Sequence, residues 1–313
     1  MAPVVYVVIP VQDRIDFLGA ALASVREQTV TDLEVIVVDS GSTQDVGSFV
    51  RHIQRSDSRF RFIRSDVRLG SADARNLGLQ EVRAPYIAHL DSDDIMRANR
   101  LSLQLAVMAA TDVECVAGCM LGMNVAGLRP TPGAQLGSPD KGTPLSDLQV
   151  RWWFPFVMPS MSSTLMMRTS TLRDVGGFAT DHSTCDDYPT MERMLDRGKV
   201  VRIGEFVTCY RHHDRQISTS RNIEQQVQLS LLRQRIMASR VGFDVPLGTV
   251  MALTLAGVPE STREKYRASA CSLLDALFDK FLLDHQPTDA ELEWIIKDHA
   301  ERRGKLLKEP AQS

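Results

Sequence analysis

Three carboxylates at the end of an apolar run are the residues of this sequence best placed to do chemistry. The segment from Tyr86 to Leu90 has the composition of a buried strand, and Asp91, Asp93 and Asp94 follow it within four residues. Because an unpaired buried carboxylate is costly, these side chains must lie where the strand leaves the sheet and face a cation or a polar ligand. Their mutual repulsion favours a positive group between them, such as a divalent metal that carries phosphates. The alternative is a solvated turn in which Asp94 caps the next helix.

Two more acidic residues follow earlier apolar runs. Asp13 comes after the run Val4–Ile9, and Asp39 comes directly after the run Leu33–Val38. Each alone fits an ordinary turn, since turns favour aspartate. In an open α/β sheet, however, ligands bind at the carboxyl ends of the strands. Acidic residues after three different strands therefore predict one shared ligand at this edge.

The apolar runs alternate with helical patterns, and this alternation predicts the elements that position the acidic residues. Strands are predicted at Val4–Ile9, Leu33–Val38, Phe60–Ile63 and Tyr86–Leu90. Helices are predicted between them at Ile15–Val25, Asp45–Arg55 and Gly70–Glu81. Four strands alternating with helices predict an α/β fold with a doubly wound, mostly parallel sheet flanked by helices.

The composition and the charge exclude several classes of protein. A formal net charge of −3 over 313 residues argues against nucleic acid as the main partner, because phosphate binding needs a basic face. No apolar run approaches the ~18 residues of a membrane span, and the amino terminus lacks the pattern of a signal peptide. Five cysteines without zinc-type spacing indicate reduced thiols. We therefore predict a cytoplasmic protein with no transmembrane segment, and peripheral contact with a membrane stays open.

The turn after the first predicted strand excludes two nucleotide-binding motifs. It reads Pro10-Val11-Gln12-Asp13, without the glycines of a dinucleotide fold. The sequence also lacks the G-x-x-x-x-G-K-[ST] loop that binds phosphates in another class of fold. The layout of strands and acidic residues does not by itself identify the ligand.

Four segments of the first hundred residues resemble the nucleotide-sugar domain of family 2 glycosyltransferases, which have the GT-A fold. They are Val8-Ile9-Pro10, the run from Leu33 to Thr43, Arg68-Leu69-Gly70 with Ala74 to Leu79, and Leu90 to Asp94. The resemblance implies that Asp39 reads the nucleobase, Asp91 contacts the ribose, and Asp93 binds the divalent metal, Mn²⁺ or Mg²⁺, that bridges the diphosphate. It implies further donor contacts from Pro10, Val11, Asp13, Arg68, Gly70, Arg75 and Ser92. The chain departs from the family pattern at Ser40, where a second aspartate is usual, and at Gln12, where an asparagine is usual.

A second set of residues resembles the acceptor half of the same family. Ser162–Arg168 is predicted as a strand, and Thr171–Val175 as a short helix before a Gly-Gly-Phe sequence. Cys185-Asp186-Asp187-Tyr188 stands where the family carries Glu-Asp-Tyr at the start of a helix, which implies that Asp187 is the catalytic base. A helix amino terminus stabilises such carboxylates. The alternative role for Asp186 is ordinary N-capping.

One histidine is implied as a metal ligand by the same resemblance. Strands predicted at Val200–Ile203 and Phe206–Tyr210 lead into Arg211-His212-His213. The family often has a histidine near the metal or the diphosphate after this strand, and counting from Tyr210 identifies His213. A neutral imidazole can ligate a manganese-like ion, whereas a lone histidine is otherwise structural.

The segment before the acceptor half combines a long loop with a cluster of aromatic residues. Residues 127–150 are rich in Gly, Pro, Ser and Asp, and loops of that length are usually functional lids or mobile segments. The sequence Trp152-Trp153-Phe154-Pro155-Phe156 follows. It fits a core patch under the loop, a stacking wall for the acceptor, or a contact with a membrane surface.

Amphipathic helices are predicted beyond residue 220, where the resemblance ends. Ser261 with Glu264, and Thr288 with Glu291, have the spacing of helix capping boxes. The apolar faces of these helices must cover something. Three roles stay open: closing the acceptor site, forming a homodimer interface, or supporting the catalytic half.

The resemblance, together with these residues, implies an inverting glycosyltransferase that depends on a divalent metal. Its GT-A domain spans 1–219, with a nucleotide-sugar half at 1–120 and an acceptor half at 121–219, and a helical region spans 220–313. The predicted donor is a nucleotide-diphosphate sugar, specifically a UDP-sugar, and the acceptor stays open. One rival is a sugar nucleotidylyltransferase, which needs a glycine-rich loop that Pro10-Val11-Gln12-Asp13 does not supply. The other is a non-catalytic nucleotide-sugar-binding protein, against which the presence of both Asp93 and Asp187 argues.

Overall fold

The alternating pattern of the first ninety residues forms the parallel half of a sheet. In the computed structural model, which describes residues 2–126, 142–182, 184–254 and 258–308, the parallel strands are β1 (Val5–Val11), β2 (Leu33–Ser40), β3 (Phe60–Ser65) and β4 (Tyr86–His89). The helices between them are α1 (Ile15–Arg26), α2 (Val46–Gln54) and α3 (Ser71–Glu81). The elements predicted for this half of the sheet are confirmed.

The next part of the chain completes the sheet with short antiparallel strands. Its elements, in chain order, are β5 (Ile95–Met96), α4 (Arg100–Ala110), β6 (Cys115–Met123), α5 (Asp147–Trp153), a 3-10 helix (Ser162–Thr164), β7 (Met166–Arg168), α6 (Thr169–Asp174), α7 (Asp187–Arg197), β8 (Val200–Arg211) and α8 (Ile217–Ser220). The strand order is β3-β2-β1-β4-β7-β6-β8-β5. Strand β7 pairs antiparallel with β4 and β6, and β5 pairs antiparallel with β8, whereas β6 and β8 are parallel. The predicted α/β class is confirmed, and the second half is more mixed than the sequence pattern indicated.

Burial on both faces explains why the first strands read as continuous apolar runs. Every residue from Val5 to Ile9, and every residue from Val35 to Val38, is buried, because helices cover both sides of the sheet. Helix α3 packs closely on this layer at Gly78, where an added Cβ would lie 2.6 Å from a methyl carbon of Val8. The core therefore fixes the strand ends from which the acidic residues project.

Helices form most of a second compact unit. It consists of residues 146–159 and 222–313, and it contains α5, α9 (Asn222–Val241), α10 (Leu247–Thr254), α11 (Glu260–Asp284) and α12 (Asp289–Leu307). The first unit consists of residues 1–145 and 160–221 and holds the sheet. Residues 146–159, which the sequence division placed in the acceptor half, thus pack with the helical unit. The functional division at residue 219 stays a prediction.

The aromatic cluster before the acceptor half is part of the core of the helical unit. Trp152 and Trp153 are buried, and both indole N–H groups donate to Asp298, at 2.7 and 3.1 Å. Trp152 packs edge-on against Phe281 of α11, and Trp153 packs against Trp294 of α12. The interpretation as a core patch is confirmed. The predicted lid begins with residues 127–141, which lie outside the described residues.

Three local predictions were wrong for identifiable reasons. Ser162–Arg168 is not one strand, because its first residues form the 3-10 helix. The two strands predicted at Val200–Ile203 and Phe206–Tyr210 are one strand, β8, whose pairing with β6 shifts register around Cys119. Ser261 caps no helix, because α11 begins at Glu260 directly after Pro259.

Other local predictions hold. Thr288 and Glu291 form the predicted capping box at the start of α12. The five cysteines are free thiols, as their spacing indicated. Over the described residues, no helix is both long enough and apolar enough to cross a membrane.

Candidate active site

The acidic residues that follow β1, β2 and β4 lie at one edge of the sheet. Val11 at the end of β1 pairs with Asp39 in β2, and Val8 pairs with His89 in β4. Parallel pairing in this register places Asp39 beside Pro10 and Val11, and it brings Asp91 to the same edge. The structure thus brings together the first group of predicted donor-binding residues.

Asp39 is fully buried and already holds a cationic partner. One carboxylate oxygen accepts from the backbone N–H of Ser42 at 3.0 Å, and the other accepts from Arg64 Nη1 at 2.6 Å. Arg64 lies on β3 directly opposite Asp39 and is half exposed. The carboxylate that the resemblance assigns to the nucleobase therefore sits beside an arginine.

Ser40, where the family usually has an aspartate, holds the loop that leads to α3. Its hydroxyl oxygen accepts from the Leu69 N–H at 2.7 Å and donates to the Leu69 carbonyl at 2.9 Å. Gly41 has a φ of +60°, and an added Cβ would lie 2.9 Å from the carbonyl carbon of Val67. The turn after β2 and the loop containing Arg68 and Gly70 are consequently in close contact.

Asp13 organises the turn after β1. It has a φ of 50°, and its Oδ1 accepts from the backbone N–H of Thr43 at 2.7 Å and from the Thr43 hydroxyl at 2.8 Å. The hydrogen bond from the Thr43 hydroxyl is the main cause that lowers the pKa of Asp13, with a smaller contribution from the charge of Arg68. Asp13 therefore ties the ends of the first two strands together.

Asp91 lies in a network of buried polar groups. Its Oδ1 contacts His89 Nε2 at 3.0 Å and Arg75 Nη2 at 3.1 Å, and its backbone N–H donates to Ser163 Oγ at 2.9 Å. Burial alone would raise the pKa of Asp91, but neighbouring charges and hydrogen bonds, among them those of Arg75 and Ser163, hold it below its ordinary value. The neighbouring Ser92 is buried. Asp91 is thus an ionised hydrogen-bond acceptor, as contact with ribose hydroxyls would require.

Asp93 and His213 meet as the resemblance implies, and Arg14 meets them there. Asp93 Oδ2 lies 2.9 Å from His213 Nε2 and 2.5 Å from Arg14 Nη1. His213 Nδ1 accepts from the Arg215 N–H at 3.1 Å, so the neutral imidazole carries its proton on Nε2 and donates to Asp93. In this arrangement two donors bind one carboxylate oxygen, and Arg14 alone supplies a positive charge.

The donor set at Asp93 fits a divalent cation that also takes ligands from its substrate. In the part of the chain that the structure describes, no three His, Cys, Asp or Glu side chains are arranged to hold a metal by themselves. Asp93 offers a carboxylate oxygen, and His213 would offer Nε2 only after that nitrogen gives up the proton it donates to Asp93. Ions such as Mg²⁺ need few protein ligands when phosphates and waters complete the shell. The ion would have to replace Arg14 as the cationic partner of Asp93.

Asp94, which is buried beside Asp93, also favours a cation at this place. Its Oδ1 accepts from the Arg211 N–H at 3.1 Å, and its Oδ2 has no hydrogen-bond partner among the described residues. Burial, followed by the charges of Asp93 and Asp91, raises the pKa of Asp94 well above its ordinary value. Asp94 does not cap a helix, because α4 begins after Asn99. The negative charges of Asp93 and Asp91, which favour the protonated form of Asp94, equally favour a bound cation at this place.

Asp186 and Asp187 lie at the start of α7. Asp186 does not cap the helix with its side chain; its Oδ2 instead accepts from Arg75 Nη1 at 2.6 Å. Asp187 is half-buried, and burial, followed by the charge of Asp186, raises its pKa to about 7. A carboxylate with such a pKa can accept a proton near neutral pH.

Sequence reasoning missed several residues that pair with these carboxylates. Arg14 follows Asp13 and binds a residue 79 positions away, so no local pattern could identify it. Arg64 could have been found, because correct alignment of β2 and β3 places it opposite Asp39. The hydroxyl of Ser163, hidden in a segment predicted as a strand, gave no signal.

Comparison with known proteins agrees with this geometry. The sequence model of the family described as glycosyl transferase family 2 matches residues 6–175. An uncharacterized glycosyltransferase of Haemophilus influenzae is 24% identical over 305 residues, which are 96% of this chain and 92% of that protein.

Other relatives match over a smaller part of their length. An uncharacterized glycosyltransferase of Rickettsia bellii is 40% identical over 104 residues, which are 33% of this chain and 15% of that protein. The Escherichia coli enzyme named UDP-Glc:alpha-D-GlcNAc-diphosphoundecaprenol beta-1,3-glucosyltransferase is 32% identical over 114 residues, or 36% of this chain and 44% of that protein.

Solved structures share the fold over nearly the whole chain. Staphylococcus aureus TarS 1-349 in complex with UDP-GlcNAc has a TM-score of 0.62 at 13% identity, covering 98% of this chain and 90% of that one. A Pyrobaculum calidifontis mannosyltransferase in complex with GDP-Man and Mn²⁺ has a TM-score of 0.57 at 15% identity, covering 98% and 84%. At these identities the likeness shows the GT-A fold alone.

Proposed function

This chain belongs to glycosyl transferase family 2, and on that premise we propose that it moves a sugar from a nucleotide-diphosphate sugar to an acceptor hydroxyl with inversion at the anomeric carbon. The observation that carries the proposal is the arrangement of four carboxylates. Asp39, Asp91 and Asp93 lie at one sheet edge, and Arg75 links Asp91 to the helix start that bears Asp187. Donor-binding groups and a base of raised pKa therefore belong to one site.

The three donor-side carboxylates have distinct roles in this proposal. Asp39, buried beside Arg64, accepts an N–H from the nucleobase, and Asp91 accepts from the ribose hydroxyls. Asp93 would hold a divalent metal with His213, and the bound metal would neutralise charge on the departing diphosphate. Pro10, Val11, Ser92 and the loop with Arg68 and Gly70 would shape the walls around the nucleotide.

Asp187 performs the proton transfer. Its carboxylate takes the proton of the acceptor hydroxyl while that oxygen attacks the anomeric carbon from the face opposite the leaving diphosphate. The bond to the diphosphate oxygen breaks as the new glycosidic bond forms, which gives inversion in a single displacement. General-base catalysis of this kind typically contributes 10²–10⁴-fold.

The proposed donor is a UDP-sugar. The Escherichia coli relative is named for UDP-Glc, and the TarS structure holds UDP-GlcNAc. The mannosyltransferase with the same fold holds GDP-Man with Mn²⁺, which supports use of a divalent metal by this site architecture but also shows that the fold takes other bases.

The experiment that tests the function separates binding from turnover at Asp187. In the presence of Mn²⁺, UDP should bind Asp187→Asn within a factor of a few of the wild-type affinity, measured by calorimetry. Consumption of UDP-sugars, measured as UDP release, should fall by roughly 10²–10⁴-fold. Asp174→Asn, which changes an exposed aspartate of α6, is the matched control and should keep both values.

Two outcomes would contradict the proposal. A wild-type protein that binds UDP-sugars and never consumes one, with water or any acceptor, is a non-catalytic binder. Equal UDP release by the wild type and by Asp187→Asn would show that the base lies elsewhere.

A further inference from the structure

Arg75 lies where three segments of the proposed site meet. It projects from α3, is 3% exposed, and donates from each of its three nitrogens. Nε donates to His89 Nε2 at 2.8 Å, Nη1 to Asp186 Oδ2 at 2.6 Å, and Nη2 to Asp91 Oδ1 at 3.1 Å. Nη2 also lies 3.4 Å from Ser162 Oγ of the 3-10 helix. A guanidinium has five N–H groups, so these contacts leave little donor capacity for a ligand.

These contacts join parts of the chain that are far apart in sequence. Asp186 is 111 residues from Arg75, whereas Asp91 is 16 residues away. A short charge-assisted hydrogen bond with fork geometry fixes both the distance and the orientation of its partner. The amino terminus of α7 is therefore held to α3 and to the end of β4 through one side chain.

We propose that Arg75 is a positioning residue that fixes the start of α7, and with it the Asp187 carboxyl group, against the donor-side carboxylate Asp91. The inference rests on the proposed function only for the role of Asp187 as base. It assigns Arg75 to the alignment of donor and base, rather than to the direct contact with the donor that the resemblance implied.

The charges around Asp187 agree with this geometry. Among the described residues, the charged groups that act most strongly on it are Asp186 at the start of its own helix, Arg75 from α3 and Asp91 from the end of β4. Burial and Asp186 raise the pKa of Asp187 and Arg75 lowers it, while burial together with the charge of Arg75 lowers the pKa of His89 and keeps that ring neutral. Arg75 is thus the one cation in this set of groups.

The test uses the fact that Arg75 is positively charged and Asp186 negatively charged, so that removing each should shift the pKa of Asp187 in opposite directions. Titration of the Asp187 carboxyl carbon is followed by NMR with ¹³C-labelled aspartate, and its signal is identified by its loss in Asp187→Asn. Arg75→Gln should move the midpoint upward by roughly one pH unit or more, because a nearby cation is lost. Asp186→Asn should move it downward, because a nearby anion is lost while the side-chain size is kept. Opposite displacements show that both charges lie close to Asp187, and the turnover of Arg75→Lys then decides whether Arg75 positions it.

Arg75→Lys separates charge from geometry. Lysine keeps the positive charge but cannot form the fork, so the titration midpoint should stay near the wild-type value. UDP release should still fall, by roughly 10²-fold, because the base is no longer aligned. UDP affinity should change by a smaller factor than the turnover number.

Arg202→Gln is the matched control for removal of a buried arginine. Arg202 lies on β8, is 2% exposed, and donates from Nη2 to a backbone carbonyl, that of Thr143. Its replacement should lower the melting temperature without moving the Asp187 titration. If Arg75→Gln fails to fold, Asp186→Asn and Arg75→Lys still decide the question.

Three results would overturn the inference. They are an Asp187 midpoint that does not move in Asp186→Asn, an Arg75→Lys protein with wild-type turnover, and an Arg75 variant that loses UDP affinity alone. Failure of the proposed function is a separate result. In that case the titrations shift as expected while no UDP-sugar is consumed by the wild type.

Discussion

At the scale of single residues, the candidate site consists of carboxylates whose partners differ more than their sequence contexts suggest. Asp39 faces Arg64, Asp93 faces Arg14, and Asp94 has one oxygen without a hydrogen-bond partner among the described residues. An aspartate that directly follows a predicted strand can be expected to lie at the edge of the sheet. This position does not predict its charge state, because that state depends on cations contributed by distant segments.

Arg14 and a divalent metal compete for the same oxygen of Asp93, which gives the first prediction. Arg14→Gln should raise the affinity for Mn²⁺ roughly ten- to hundredfold, since a hydrogen bond between charged groups contributes about 1.5–3 kcal/mol. Calorimetry with Mn²⁺ alone, without nucleotide, measures this directly. Arg215→Gln is the control, because that exposed side chain contacts Asp16 and not Asp93. Equal affinities for Arg14→Gln and the control would show that Arg14 does not compete.

The protonation state of Asp187 gives the second prediction. Since its pKa is raised to about 7, the base is protonated and inactive below that pH and becomes competent as the pH rises through it. The turnover number at saturating donor should therefore rise with pH across about 7 and level off above it. A turnover number that stays constant from pH 5 to 8 would contradict the assignment of Asp187 as base.

The sequence predicted the acidic residues of the candidate site more completely than the contacts that hold them in place. Asp39, Asp91 and Asp93 could be placed at the carboxyl edge of the sheet because residue type and strand end are local properties of the sequence; their roles stay predictions. Arg75 was predicted as a donor contact. Its hydrogen bond to Asp186, 111 residues away, could not be predicted from the sequence.

At the scale of elements, the sequence predicted strands and helices well where burial determines which positions are apolar. Strands buried on both faces are continuous apolar runs, and helices buried on one face have apolar residues at helical spacing. Strands β1 to β4 and helices α1 to α3 follow their apolar spacing closely. Strands β5 and β7 have two and three residues, too few for any period to show. The antiparallel insertion of β7 between β4 and β6 depends on long-range pairing and could not be predicted.

Two helix starts in the same unit give the third prediction, because they share a sequence pattern and differ in structure. Thr288 Oγ1 accepts from the Glu291 N–H, so Thr288→Ala should lower the free energy of unfolding by about 0.5–2 kcal/mol. Ser261 stands inside α11 after the Pro259 start, so Ser261→Ala should change it by less than about 0.5 kcal/mol. Urea denaturation followed by circular dichroism measures both. Equal losses would mean that Ser261 also caps.

At the scale of the whole molecule, two compact units are built from four pieces of chain. The helical unit takes in residues 146–159, whose buried tryptophans contact Phe281, Trp294 and Asp298 within that unit. Composition and helical periodicity predicted the helices beyond residue 220. They could not predict that an aromatic segment seventy residues earlier belongs with them, because aromatic residues suit a core and a binding surface equally.

Truncation gives the fourth prediction. A chain ending at residue 220 keeps Trp152, Trp153, Phe154 and Phe156 and loses the residues that cover them. It should therefore bind a hydrophobic dye and aggregate at micromolar concentration, as measured by dye fluorescence and light scattering. Replacing residues 146–159 of the truncated chain by a Gly-Ser linker of equal length is the control and should reduce both signals. Unchanged solubility of the simple truncation would show that these aromatic residues find cover without the helices.

The helical unit is built from two segments, 146–159 and 222–313, and the ribosome synthesises the first segment well before the second. Trp153 and Asp298, which it contacts, are 145 residues apart in the chain. At the ~5–20 residues per second of translation, the tryptophan pair waits about 7–30 s before its partner residues have been polymerised. During that interval two large indole rings are available to chaperones, while the sheet strands before them have already been made.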